Sequence, residues 1–258
     1  MNRRAFSIVE LMVVIAIIGV LISILLPALG AARSASRQVL ALANARTLHQ
    51  TFELYLDSND ETYPFVPGFA DPNLGGEQVV FVNWYPEGTV IGTNDRFMLA
   101  WAWPALISTI APWEEHYETW VSPGKPTELP EDWVDSQERE PGEEISWRLS
   151  NTFLADPAAW DGKANADPMV FRAVKRPDIA FPSGKALAWD THLAYLSRRP
   201  DLRDGHWDAD APIAFADGHA EVRNPLDGTE PADTGFGFSE TGPRALADTP
   251  DGVRGLDY

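Results

Sequence analysis

Phe6-Ser7-Ile8-Val9-Glu10-Leu11-Met12-Val13-Val14-Ile15-Ala16-Ile17-Ile18-Gly19 is the stretch that decides how this chain is built. One carboxylate, Glu10, is set into an apolar run, and a short basic leader, Met1-Asn2-Arg3-Arg4-Ala5, precedes it. No charged residue occurs from Leu11 to Leu26, and the apolar character continues to Leu29. That length is close to the roughly 20 residues a helix needs to cross a bilayer. A carboxylate in such a segment costs on the order of 2.5–3.5 kcal/mol on insertion scales, so Glu10 needs a partner or a reason. A secretory signal peptide would carry a small-x-small cleavage site after its apolar run. Ala28 and Ala31 could supply one, but neither that reading nor a plain signal anchor accounts for Glu10.

The arrangement resembles the N-terminus of a type IV prepilin or a type II secretion pseudopilin. In that family a short basic leader ends in a small residue, and Phe, three residues, Glu and an apolar helix follow. Here Phe6 and Glu10 take the first and fifth mature positions, and Pro27 falls where the family often has a helix-bending proline. The chain departs from the pattern at Ala5, where Gly is usual. The resemblance implies that prepilin peptidase removes residues 1–5 and N-methylates Phe6. It also implies that residues 6–29 form a single inner-membrane helix with the head in the periplasm. Its partners would be other pilin or pseudopilin subunits, an inner-membrane assembly platform and the lipid bilayer. In the resulting fibre, Glu10 of one subunit would pair with the Phe6 ammonium of a neighbour. Charge alone does not set the orientation. Arg3 and Arg4 precede the span, and Arg33 and Arg37 follow it within the window where the positive-inside rule is counted.

Composition narrows the partners. Asp and Glu number 38 against 20 Lys and Arg, a net charge of −18 in 258 residues. Such a surface repels nucleic acid, which is excluded as a partner. The chain has no cysteine, so disulfides and thiolate metal sites are ruled out. Proline (21) and glycine (19) are frequent enough to indicate a loop-rich head rather than a helical bundle.

Beyond Pro27 the apolar pattern becomes periodic. Leu42, Ala45, Leu48, Phe52 and Tyr55 recur every three or four residues, which predicts one buried stripe on an amphipathic helix over residues 30–56. One long helix over residues 6–56 is therefore expected, half in lipid and half on a globular head. Asp57-Ser58-Asn59-Asp60-Glu61 and Tyr63-Pro64 end it. Asp57, Asn59 and Glu61 resemble the start of a calcium loop, but the loop Gly and the distant bidentate Glu are missing, so the stretch reads as a polar helix exit. A strand is expected at 79–82, a helix at 97–110 restarted at Pro104, and a solvated loop at 122–144. Further strands are expected at 145–153 and 185–189. Asp217-Gly218 between two alternating runs, 212–216 and 219–223, predicts a hairpin with both turn residues at positive φ. Residues 224–258 carry seven acids, two arginines and few apolar side chains, and read as a disordered tail after a head spanning 57–223. The fold class expected is α+β and pilin-like, a long N-terminal helix on a small antiparallel sheet with long loops.

Candidate chemistry in the head gathers near the C-terminal side. His206, Asp208, Asp210, Asp217 and His219 lie close in sequence, and Asp190 and His192 are expected to join them if a cation is bound. The competing reading makes Asp217 a turn residue and the others solvated, and on it no metal or cofactor is expected. The region also resembles the prepilin-type proteins whose C-terminal part carries His, nine residues, Asp-Gly. Ten residues separate His206 from Asp217 here, and Ser122-Pro123 stands where that family often has Cys-Pro. Ten tryptophans lie between Trp84 and Trp207. They either fill a proline-rich core or offer surface rings on which sugars stack. G-x-S-x-G, H-E-x-x-H and a cysteine nucleophile are all absent, and Ser183-Gly184-Lys185 lacks the first Gly of a phosphate loop. The expected function is a non-enzymatic fibre subunit. The alternative is a membrane-tethered module whose Trp-rich head binds polysaccharide or a secreted substrate.

Overall fold

The computed structural model describes residues 8–65, 78–82, 89–93, 99–125, 145–160, 172–196, 209–232 and 245–258. Helix α1, Ile8–Ser58, is unbroken over 51 residues and runs through Pro27. At 1.5 Å per residue it is roughly 77 Å long. Residues 8–33 are exposed on every side, so this apolar half contributes nothing to the core of the head. The second half buries Ala41, Asn44, Ala45, Leu48, His49, Thr51, Phe52 and Leu56, one stripe at helical spacing. Leu42 and Tyr55, expected within that stripe, flank it half-buried.

The helix ends where the acidic cluster begins. Asn59 and Glu61 both donate their backbone N–H to the Leu56 carbonyl, at 3.1 and 2.9 Å, and Asp60 and Glu61 take positive φ. The acids there meet basic side chains. Arg176 lies 2.9 Å from Glu53 and 3.1 Å from Asp57, and Lys175 lies 2.6 Å from Asp60. Exposed pairs of this kind contribute little singly, but two of these share Arg176 and all three wrap the end of the helix.

Four strands form one antiparallel sheet in the order β3 (Trp147–Leu149), β4 (Ala186–Asp190), β5 (Ala211–Phe215) and β6 (Ala220–Arg223). Alternation gives the sheet two faces. Leu149, Ala188, Ala214 and Ala220 face α1, and their small side chains let the helix lie close against β5. Trp189, Ile213 and Phe215 face the other way. A separate pair, β1 (Gln78–Val82) with β2 (Thr89–Thr93), is also antiparallel. Helices α2 (Leu99–Leu106) and α3 (Trp113–Trp120) close the core beside α1. Trp103 joins them, 5.4 Å from the Phe52 ring and 5.2 Å from Trp120, with its Nε1 donating to the Trp147 carbonyl at 2.9 Å.

The fold class is the expected one, α+β and pilin-like, but four local expectations change. The strand expected over 145–153 stops at Leu149, because Ser150 accepts a hydrogen bond from the Thr152 N–H and starts a 3-10 turn at Asn151–Leu154. The helix expected over 97–110 ends at Leu106, with Ile107 buried and Ile110 half-buried in the turn that follows. The β5–β6 hairpin turns through three residues, not two: the Phe215 N–H donates to the His219 carbonyl, and Gly218, but not Asp217, has positive φ. This is the type I turn plus left-handed residue of three-residue hairpins.

The fourth change concerns the tail. The described parts of residues 224–258 are folded, and Leu246, Ala247 and Tyr258 cover the sheet face opposite α1. Polar anchors hold them there: the Ser150 hydroxyl donates to the Leu246 carbonyl at 2.6 Å, and the Tyr258 hydroxyl to the Asn224 carbonyl at 3.0 Å. Composition missed this because a few well-placed contacts do the work that an apolar run does elsewhere. Residues 126–144, most of the expected acidic loop, lie outside the described residues.

Candidate functional site

Glu10 lies in the first turn of α1, exposed among exposed apolar neighbours. Residues 8–29 measure roughly 33 Å along the helix axis, which matches a hydrocarbon core of about 30 Å. Among the described residues α1 is the one helix long and apolar enough to cross a membrane. Glu10 therefore sits near one end of the span, and the buried stripe begins about a dozen residues beyond the other end. Ala5 and Phe6 lie outside the described residues.

The candidate residues of the head separate into two places. At the hairpin, Asp217 Oδ1 accepts from the His219 N–H at 3.1 Å and lies 2.5 Å from His219 Nδ1. The His219 ring stacks on Phe215 at 4.2 Å. Helix α1 meets the same turn, where His49 Nε2 donates to the Ala216 carbonyl at 3.1 Å. A Cβ on Gly218 would come within 3.0 Å of the His49 ring. Asp217 and His219 thus serve the turn. Asp190 and His192 do not join them, because they lie at the opposite end of β4, beyond the Trp189–Ile213 pair. Asp210 is at that far end too, directly before β5. His206 and Asp208 lie outside the described residues. Among the described residues no group of three His, Asp or Glu side chains is placed to hold a metal ion.

Asp190 is fully buried. Its Oδ1 accepts the N–H groups of His192 and Leu193 at 2.8 and 3.1 Å, while Oδ2 has no hydrogen-bond partner among the described residues. Burial raises its pKa to about 6 against the lowering effect of Ser122 and those N–H groups. Loss of solvent also pushes the Tyr195 hydroxyl up.

The tryptophans settle into the core where they can be followed. Trp103, Trp120, Trp147, Trp160 and Trp189 are all fully buried, which removes them as sugar-stacking platforms. Two charged groups that sequence reasoning missed are buried as well. Arg148 is buried with its guanidinium 6.0 Å from the Trp189 ring centroid. Lys185 is enclosed with Asp257. Local sequence did not mark them, because β3 and β4 are buried at every residue and the Trp189 and Asp257 side chains beside them come from far along the chain.

No curated protein and no solved structure matches the chain. Residues 1–26 match the model of the prokaryotic N-terminal methylation motif, a match that does not extend to the C-terminal region. That motif, on a long apolar helix set against a small antiparallel sheet, makes the chain similar to type IV pilins and pseudopilins; it is the motif that prepilin peptidase recognises, and the helix behind it fits an inner-membrane anchor.

Proposed function

We propose that the protein is a non-enzymatic subunit of a type II secretion-like or type IV pilus-like fibre. Cleavage after Ala5 frees the Phe6 amine, which is then methylated. Residues 6–29 hold the subunit in the inner membrane with its head in the periplasm until the assembly platform draws it into the fibre. The observation that carries this reading is the continuity of α1, whose bare apolar half and head-packed half form one rod. A rod of that kind can leave lipid for a bundle of identical helices without remodelling the head. Its backbone groups stay satisfied in both settings, as apolar surroundings require.

In the bundle, Glu10 pairs with the Phe6 ammonium of a neighbouring subunit. Such a pair offsets its own desolvation only while both charges are present, and removing one is disruptive. Glu10→Gln is therefore expected to give a processed, membrane-inserted protein that is depleted from sheared or cross-linked fibres. Incorporation equal to wild type would refute the pairing. The burial of five tryptophans supports a structural head over a glycan-binding one.

A further inference from the structure

We propose that Lys185 and Asp257 join through an amide bond, with Thr249 as proton relay, stapling the C-terminal segment to the sheet. Lys185 and Asp257 are 0% and 1% exposed. Lys185 Nζ stands 3.2 Å from one carboxylate oxygen and 3.4 Å from the other, so nothing separates amine from carboxyl group. The Thr249 hydroxyl accepts from Nζ at 2.7 Å and donates to Asp257 Oδ1. The Ala186 N–H donates to Oδ2 at 2.8 Å. Nucleophile, electrophile, relay and oxyanion donor thus occupy one dry site between β4 and the chain end.

The reaction balances without a co-reactant. One proton passes from the ammonium through the Thr249 hydroxyl to Oδ1, leaving a neutral amine and a neutral acid. Burial lowers the proton affinity of Lys185, which favours the neutral amine that the attack needs. The Nζ lone pair attacks Cγ, and negative charge collects on Oδ2, where the Ala186 N–H already points. The Cγ–Oδ1 bond then breaks, and Oδ1 leaves as water with a second proton from nitrogen. The product is a secondary amide plus one water, and two buried charges disappear. Holding both groups in contact supplies the high effective concentration that such condensations need. With no cysteine in the chain, a disulfide cannot do this job.

Denaturing mass spectrometry of the purified full-length protein, intact and after trypsin, tests the bond. Wild type is expected to weigh one water less than its sequence, to resist cleavage after Lys185, and to yield residues 255–258 attached to the Lys185 peptide. Lys185→Met is expected to restore the full mass and release that terminal peptide, and Thr249→Val to leave it mostly unattached soon after folding. Free 255–258 from folded wild type would overturn the proposal. So would a one-water deficit that survives in Lys185→Met, because aspartate cyclisation onto its own backbone also sheds water. Complete early linkage in Thr249→Val would overturn the relay.

Discussion

Asp190 and Glu10 are both carboxylates in apolar surroundings, but the two sites deal with the charge differently. Glu10 is exposed on a lone helix, where a charge from another molecule can reach it. Asp190 is sealed inside the head, so its charge is disfavoured and its pKa stands at about 6 instead of 3.8. An acid whose folded pKa is raised adds stability that is complete below the unfolded value and lost as pH rises through the folded one. Asp190 thus favours the fold below about pH 4 and loses that contribution by about pH 6, a change on the order of 3 kcal/mol. Asp190→Asn keeps an acceptor for the His192 and Leu193 N–H groups and cannot ionise. Denaturant titrations from pH 4 to 7 are expected to show wild type weakening relative to Asp190→Asn across that window; parallel curves would contradict it. Glu10 stood out in the sequence because nothing charged surrounds it. Asp190 did not, because burial of one acid among 38 acidic residues is a tertiary fact.

Among the elements, α1 was the most legible. An apolar run followed by a three-to-four-residue repeat specifies both halves, and the helix ends within two residues of expectation. Its partners were harder to read. Phe52 was visible as a stripe residue, but the Trp103 and Tyr63 rings around it, at 5.4 and 6.3 Å, come from segments that only folding brings together. Phe52→Ala is expected to cost about 3–5 kcal/mol, read as a lowered midpoint in denaturant unfolding of the full chain in detergent. The hairpin shows where local reasoning fails in detail. Asp217-Gly218 correctly announced a reversal, but the contact of His49 with Ala216 accompanies a three-residue loop that turn statistics alone do not choose. The short strand β3 was overextended for a similar reason, since the cap at Ser150 uses a hydroxyl that also reaches Leu246. The candidate metal cluster was read from proximity in sequence, and β4 and β5 carry its described members to opposite ends of the sheet.

For the whole molecule, the largest revision is the chain end. Its low apolar content argued for disorder, yet it completes the second face of the sheet and supplies the carboxylate for Lys185. Truncation after residue 244 would bare Trp189, Ile213 and Phe215 and leave an uncompensated buried amine. Breaking a buried pair this way costs about 3–5 kcal/mol before the apolar face is counted. The truncated chain is expected to lose its cooperative melt by near-UV circular dichroism while keeping the helical far-UV signal of α1. A melt unchanged from wild type would show that the segment is dispensable. The central claim, that the protein is a processed fibre subunit, is tested most directly by mass spectrometry of its mature N-terminus in the native host. The mature chain is expected to begin with N-methylated Phe6; a chain that retains Met1 to Ala5 in assembled, membrane-derived material would contradict that claim.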